Sequence, residues 1–241
     1  MNLMNKQYEN CREISGNFSL LLFLATFLIF FCSIVPKMVV SSVHIVSDFA
    51  AGPQMVETFQ TNLETLGAKK SGNFLIECDT YYSNSAIFPT QKLLNLLQSS
   101  EYPASAFSLI ENGSTIVADS SFEQIINNLS NFYSSKKMAR IEVRGQKFTL
   151  GDFIVKLGSC TMGASFKAVV AEIEYGPCSV PNACWDLIKE LGRSFVGPSI
   201  SKPNQHLLAR MNELYSPVDT IHQYNDIFNQ IKKQTPQGNT M

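Results

Sequence analysis

Apolar and polar residues alternate along three consecutive stretches between Lys136 and Pro177. The alternation has a period of two, which is the period of side chains along a β-strand. Short turns that contain glycine separate the stretches, at Gly151-Asp152 and at Met162-Gly163-Ala164. Because short connections favour antiparallel neighbours, this region predicts a three-stranded β-meander.

Five further segments have the composition and spacing of strands. They are Ser41 to Phe49, Gly72 to Tyr82, Lys92 to Leu97, Ser105 to Ile110 and Ser114 to Ala118. The apolar run of Lys92 to Leu97 is too short to distinguish a strand from a short helix. Asn112-Gly113 separates the last two segments, and Asn-Gly between apolar runs is the strongest short-range signal for a β-hairpin.

Apolar residues recur at helical spacing in four segments. The first runs from Pro53 to Gly67, the second begins at Ser120 or Ser121, the third runs from Asn182 to Gly197-Pro198, and the last from Pro217 to Gln234. Pro198 to Asn204 is interpreted as a linker. Since eight antiparallel strands of similar length can close on themselves, the predicted fold is α+β, an antiparallel β-barrel of about eight strands decorated by three to four helices.

The last helix carries a stripe of apolar residues that must be buried. The stripe consists of Ile221, Tyr224, Ile227, Phe228 and Ile231. The partner of the stripe is either the chain's own barrel or another protein. We favour the barrel, because a helix of 18 residues is marginally stable without tertiary packing.

The first 37 residues differ in composition from the rest of the chain. Phe18 to Val35 contains 18 residues without a charge, which is near the lower limit for a membrane-spanning helix. A signal peptide and an extension upstream of a true start at Met38 are the other interpretations. The predicted organisation is a hydrophobic extension over residues 1–37, one domain over 38–234 and a disordered tail over 235–241.

Composition excludes several classes of function. The net charge of −1 offers no bulk attraction to nucleic acid or acidic lipid. The six cysteines form no C-x-x-C pair, which is typical of reduced thiols in a cytosolic or nuclear protein. The three histidines lack metal-ligand spacing, and no motif of a hydrolase, a nucleotide-binding loop or a dinucleotide fold occurs. No catalytic, cofactor-binding or metal-ligating residue is therefore predicted.

One pair of carboxylates requires separate consideration. Glu172 and Glu174 lie on one face of a predicted strand, and acids that line a β-tunnel can bind a divalent metal and hydrolyse a triphosphate. The neighbouring Ala171, Ile173 and Tyr175 form the more apolar face, so we expect them to point inward and the glutamates outward. A second cluster, of basic residues, is interpreted as a solvated strand face or as a surface for an acidic partner. It consists of Lys136, Lys137, Arg140, Arg144 and Lys147.

Beyond these patterns, the chain resembles the family of subunit 20 of Mediator, the coactivator complex of RNA polymerase II. The matching stretches, in order, are Leu66 to Gly72, Ser100 to Pro103, Glu111 to Gly113, Ile141 to Gly145, Asp152 to Gly158, Thr161 to Gly163, Glu172 to Cys178, Cys184-Trp185 and Tyr224 to Gln234. Their order and their coverage of about Val39 to Gln234 make the resemblance specific.

The resemblance implies a non-enzymatic subunit of the Mediator head module in the nucleus, without a cofactor. It implies a β-barrel that pairs with Mediator subunit 18, joins the head through subunits 8 and 17, and reaches RNA polymerase II indirectly, without sequence-specific contact to nucleic acid. No matched motif identifies interface residues. Because this family is soluble, the resemblance favours an extension upstream of Met38 over a membrane span at Phe18 to Val35. The alternatives are a tunnel-type phosphohydrolase and a membrane-tethered barrel.

Overall fold

The computed structural model of the chain describes residues 39–47, 52–84, 87, 90, 92–111, 114–135 and 140–234. The predictions for residues 1–37 and 235–241 lie outside the described residues, as do the turn at Asn112-Gly113 and the two lysines at 136 and 137. The domain boundaries therefore stay predictions.

The described part of the chain contains nine strands and five α-helices. The strands are β1 (Val40–Ser47), β2 (Lys69–Ser83), β3 (Leu93–Ser99), β4 (Ser105–Ile110), β5 (Thr115–Asp119), β6 (Tyr133–Ser135), β7 (Ile141–Leu150), β8 (Phe153–Met162) and β9 (Ser165–Tyr175). The helices are α1 (Gln54–Thr65), α2 (Phe122–Asn128), α3 (Pro181–Val196), α4 (Gln205–Ala209) and α5 (Pro217–Gln234), with a 3-10 turn at Gly197–Ser199.

All nine strands belong to one antiparallel sheet, in the order β1-β9-β8-β7-β2-β3-β4-β5, with β6 paired to β2. The predicted β-meander is confirmed as β7, β8 and β9, and the hairpin of β4 and β5 as a pair of strands. The α+β fold class is confirmed. The term barrel applies loosely, because β1 and β5 are not paired within the described residues and the sheet stays open.

Two glycines allow β7 and β8 to approach closely. Gly145 lies opposite Gly158 in the register of these strands. A Cβ atom on Gly145 would lie 2.1 Å from the carbonyl oxygen of Leu157, and one on Gly158 would lie 2.6 Å from that of Arg144. Because the obstructing atoms are backbone, a larger residue could fit only if the strands separated.

Helices cover both faces of the sheet, which we call the first and the second face. Helices α1 and α3 pack on the first face, and their core includes Leu63, Leu157, Ile173 and Ile188. Helix α2 packs further along the same face, through Ile126. Helix α5 packs on the second face. The central strands are therefore buried on both sides.

Helix α5 has the predicted bounds, Pro217 to Gln234, and its apolar stripe is buried on the chain's own sheet. A side chain of this helix also covers the edge of the sheet at β1. The backbone N–H of Val43 donates to Oε1 of Gln223 over 3.0 Å, and Nε2 of Gln223 donates to the carbonyl of Ser41 over 3.0 Å. The docking on the sheet that we favoured from the sequence is thus confirmed.

Several boundaries differ from the prediction. Lys92 to Leu97 is a strand, β3, which removes the ambiguity between strand and helix. Helix α3 begins at Pro181, whose missing N–H is harmless in a first turn, so Asn182 is inside the helix and does not cap it. The predicted linker from Pro198 to Asn204 includes the end of the 3-10 turn. Asn204 then caps α4 by accepting a hydrogen bond from Leu207 N over 2.9 Å.

Candidate protein-interaction surface and buried ion-pair cluster

Glu172 is buried, which contradicts the expectation that both glutamates point outward. Its exposed fraction is 1%, and it points to the second face together with Val170. Alternation along β9 misled the prediction because both faces of this strand are covered: Ala171 and Ile173 pack under α3, while Glu172 lies under α5. The apolar face is therefore not the only inward face.

Lys156 of β8 neutralises the carboxylates around Glu172. Its Nζ lies 3.0 Å from Oε1 of Glu172, 3.5 Å from Oε2 of Glu174 and 3.8 Å from Oε2 of Glu101. Lys147 approaches Glu101 from the other side, with 3.0 Å between Nζ and Oε1. Burial alone would lower the pKa of Lys156, but the three carboxylates outweigh burial and raise it. The ammonium is therefore firmly charged.

Tyr224 closes this cluster from helix α5. Its hydroxyl donates a hydrogen bond of 2.8 Å to Oε2 of Glu172, and the ring is fully buried. Burial and the neighbouring carboxylate raise the pKa of Tyr224 well above its usual range, so the phenol stays protonated and acts as a donor. The charged groups of β8 and β9 and the neutral phenol of Tyr224 on α5 thus form one connected network.

This network is arranged for packing and leaves little room for substrate chemistry. A tunnel-type phosphohydrolase needs carboxylates around an open lumen that holds metal and phosphate. Here the ammonium of Lys156 occupies the space between the carboxylates, and Tyr224 and Phe228 fill the face above them. Among the residues that the structure describes, no group of three or more His, Cys, Asp and Glu side chains could hold a metal ion.

The described members of the basic cluster are paired with acids of the same chain. Arg140 forms ion pairs with Glu77 and, over 3.6 Å, with Asp79. Lys147 pairs with Glu101, and the exposed Arg144 lies 3.9 Å from Glu142. Local neutralisation of this kind agrees better with a solvated strand face than with a binding site for an acidic partner.

The histidines and described cysteines occupy structural positions. His44 is buried on β1, 2.7 Å from the hydroxyl of Ser42, and burial lowers its pKa to about 4. The ring of His206 of α4 stacks on the ring of His222 of α5, with 4.5 Å between the ring centroids. Cys78, Cys160, Cys178 and Cys184 are free thiols. Burial raises the pKa of the first to about 11 and of the second and the fourth to about 12, so they are poor nucleophiles.

Exposed apolar side chains lie at the open end of the sheet, on β5 and in and after α2. We call them the β5–α2 surface. It consists of Ile116, on the face of the sheet that carries α2, Val117, on the opposite face, and Ile125, Leu129 and Phe132. The exposed fractions are 55% for Val117, 50% for Ile125 and 41% for Phe132. β5 pairs only with β4 and ends the strand order, so its other edge is not covered by a strand of the described residues. Apolar side chains beside an open strand edge are typical of a protein-interaction site.

Comparison with known proteins gives the family. A family sequence model described as the TATA-binding related factor (TRF) of subunit 20 of Mediator complex matches residues 38–229. The chain belongs to the Mediator subunit 20 family. Mediator of RNA polymerase II transcription subunit 20 from Anopheles gambiae is 38% identical over 201 residues, which cover 77% of this chain and 90% of that protein. The human protein of the same name is 40% identical over 185 residues, covering 75% and 87%.

The chain is less similar to solved structures than to the related sequences above. The chain is similar to the Mediator head module of Schizosaccharomyces pombe, with 10% identity and a TM-score of 0.35, over 64% of this chain and 94% of that one. It is also similar to a putative adenylate cyclase from Bacillus halodurans, with 9% identity and a TM-score of 0.39, over 72% and 97%. Neither likeness is close enough to support an argument about function.

Membership of the subunit 20 family confirms the prediction of a non-enzymatic Mediator component in transcription regulation. The tunnel-type phosphohydrolase is not supported. No helix of the described residues is both long and apolar enough to span a bilayer, and Phe18 to Val35 lies outside that part of the chain.

Sequence reasoning missed the β5–α2 surface and the burial of Glu172. One signal was available for the surface: Ile125, Leu129 and Phe132 recur at helical spacing in the sequence, but the helix in this region, α2, is only seven residues long. So short a helix can bury only part of such a set. For Glu172, the partner Tyr224 lies in a stretch that matches the family, but the sequence does not show that the two residues meet. Their contact forms only because α5 docks on the sheet above β9.

Proposed function

We propose that this chain is a subunit of the Mediator head module that acts in the nucleus and works through protein–protein contacts. Its direct partner in this proposal is Mediator subunit 18, and subunits 8 and 17 connect the pair to the rest of the head. Family membership supports a Mediator component, and the pairing is inferred from the resemblance described above. RNA polymerase II is reached indirectly, through the complex.

The single observation that carries the proposal is the β5–α2 surface. The two ends of the sheet are unlike: β1 is covered by the side-chain amide of Gln223, whereas β5 exposes apolar side chains. β5 is short, with five residues, but its exposed apolar side chains still make an unprotected edge prone to aggregation, and natural proteins usually protect such an edge. A permanent partner subunit that packs on β5 and α2 provides that protection.

The β5–α2 surface can bind a partner subunit both through backbone hydrogen bonds and through apolar side chains. The open edge of β5 can accept a strand of the partner through backbone hydrogen bonds, which is a common mode of protein recognition. Ile125, Leu129 and Phe132 of the surface supply the desolvated apolar contacts that carry most of the binding free energy in stable interfaces.

Co-expression with subunit 18 tests the proposal. The substitution Val117→Asp places a charge on the exposed edge, and Leu129→Asp places one beside α2. Each should weaken the complex at least about tenfold, because a charge buried without a partner costs more than 1.4 kcal/mol. The matched control is Leu187→Asp, on helix α3, where the exposed fraction of the leucine is 46%.

Equal effects of the three substitutions on binding would place the interface elsewhere. Circular dichroism and thermal melts of each free chain check that the fold is retained, since all three side chains are more than a third exposed. If subunit 18 failed to bind the unsubstituted chain, the proposed pairing would be wrong.

The domain organisation is part of the proposal. We infer one domain over residues 38–234, a disordered tail over 235–241 and a hydrophobic extension over 1–37 that is either a leader or lies upstream of the true start at Met38. The family match to residues 38–229 supports the first boundary. N-terminal sequencing of the endogenous protein tests it. A mature protein that contains Phe18 to Val35 would favour the membrane-tethered alternative.

A further inference from the structure

A polar cleft of about 470 Å³ lies between the C-terminal half of α5 and strands β3, β4 and β5. It opens on the second face of the sheet, beside the edge strand, because Thr115 of β5 is part of its wall. Leu93 and Leu109 provide apolar walls, and Asn225 and Asn229 provide amides. Its volume is within the range of sites that bind small ligands or single side chains.

Lys232 of α5 is the charged group in this cleft whose partners are neutral. Its Nζ donates to the hydroxyl of Thr80 over 2.6 Å and to Oδ1 of Asn95 over 3.0 Å. None of the ion pairs found among the described residues includes it. Asp79, the acid whose charge acts on Lys232, is engaged with Arg140.

The environment of Lys232 is unfavourable for an ammonium in the free chain. Burial lowers its pKa, which means that the surroundings do not compensate for the water that the group has lost. Lys156, which is also buried, shows the contrast: three carboxylates surround it. A lysine that is kept half-buried without a carboxylate has room for one from outside the chain.

The charges that face the cleft leave it positive. Lys232 and Lys233 contribute two positive charges, and Glu111 contributes one negative charge. His222 also lines the wall, but burial and the neighbouring His206 lower its pKa, so it is neutral near pH 7. The amide of Asn95 donates to the amide oxygens of Asn225 and Asn229, over 2.7 and 3.3 Å, so these asparagines add no charge to the cleft.

We propose that this cleft binds an aspartate or glutamate side chain of a protein segment that docks along β5. The inference rests on the proposed function, since the segment then belongs to the partner subunit that covers the β5–α2 surface. The position of the cleft against β5 favours a side chain of a docked segment over a free anion, because the segment would deliver its carboxylate from the edge it pairs with. Lys232 would then gain the counter-ion that the free chain lacks.

The substitution Lys232→Met tests this binding role, with Lys233→Met as the matched control one residue away. In the free full-length chain, Lys232→Met should leave the melting temperature unchanged or raise it, because it removes a poorly compensated charge. In the complex with the partner subunit, it should weaken binding about tenfold or more in low salt and less in high salt. Lys233→Met should weaken binding less than Lys232→Met does, because Lys233 lines the same cleft but is exposed, so water screens its charge.

The host in which the partner subunit is produced distinguishes a carboxylate from a phosphate as the group that binds Lys232. If the partner is produced in bacteria, where its serines and threonines are not phosphorylated, the dependence on Lys232 is assigned to a carboxylate. If the unsubstituted chain forms no complex, the proposed function itself fails. If the complex forms but Lys232→Met leaves its affinity unchanged, or if the variant's only effect is to destabilise the free chain, the carboxylate site is wrong.

Discussion

The hydroxyl of Tyr224 donates a 2.8 Å hydrogen bond to Oε2 of Glu172, and both side chains are buried. The bond connects the last helix of the domain to a central strand of the sheet. Glu172 also accepts a hydrogen bond from Lys156 over 3.0 Å, so the helix, β8 and β9 share one network. Buried charges of this kind are tolerated only when every member has its partners.

The first prediction concerns the phenol. Tyr224→Phe keeps the ring but leaves Oε2 of Glu172 without its donor, so it should destabilise the free chain by about 1–3 kcal/mol. Urea denaturation measures the change. The control is Tyr175→Phe, at a partly buried tyrosine of β9 that packs on Phe153, where less than about 0.5 kcal/mol is expected. Equal midpoints for Tyr224→Phe and the unsubstituted chain would show that the bond contributes nothing.

The second prediction concerns the ammonium. Lys156→Met leaves the surrounding carboxylates buried without a cation and should destabilise the fold by about 3–5 kcal/mol at pH 7. Burial raises the pKa of Glu174, and removal of the Lys156 ammonium, which opposes this effect, raises it further above the unfolded value. A group of this kind binds more protons when folded, so the deficit should shrink as the pH falls from 7 towards 5. A deficit that stays constant over this range would contradict the assigned role of Lys156.

The third prediction separates buried from exposed phenylalanines. Phe228 of α5 is fully buried, and Phe228→Ala should cost the free chain about 3–5 kcal/mol. Phe132, with an exposed fraction of 41%, is the matched control, and its substitution by alanine should be nearly neutral in the free chain. An unchanged urea midpoint for Phe228→Ala would mean that α5 does not pack on its own sheet in solution.

The fourth prediction concerns pH. The pKa of His44 is lowered to about 4 by burial, whereas an unfolded histidine titrates near 6.5. Between these values the unfolded chain binds more protons, so stability falls as the pH decreases through this window, by about 2–3 kcal/mol from this group. In His44→Gln the loss of stability between pH 7 and pH 4 should be smaller by that amount. An identical pH profile for the two proteins would show that His44 titrates normally.

Much of the fold could be predicted from the sequence because local patterns decided it. The stripe from Ile221 to Ile231 predicted α5 with its observed bounds, and alternation predicted the β7–β8–β9 meander with turns at Gly151 and Gly163. In these segments burial, periodicity and turn chemistry agree, so each residue choice points to the same structure.

The remainder depends on contacts between segments that are distant in the sequence. Alternation along β9 could not show that Glu172 is buried, because the helix that covers it lies more than 40 residues later in the chain. The sequence also could not show whether the sheet closes into a barrel, because eight strands can form either a barrel or an open sheet. The surface at β5 and α2 follows from the open end of the sheet, and it too requires the complete topology.

The most direct test of the central claim is affinity purification of the endogenous protein from nuclear extract, followed by mass spectrometry. The expected result is that Mediator subunit 18 and the other head subunits co-purify with it in comparable amounts. The same purification after Val117→Asp should recover less of subunit 18. A protein that is recovered in folded form without any Mediator subunit would contradict the claim.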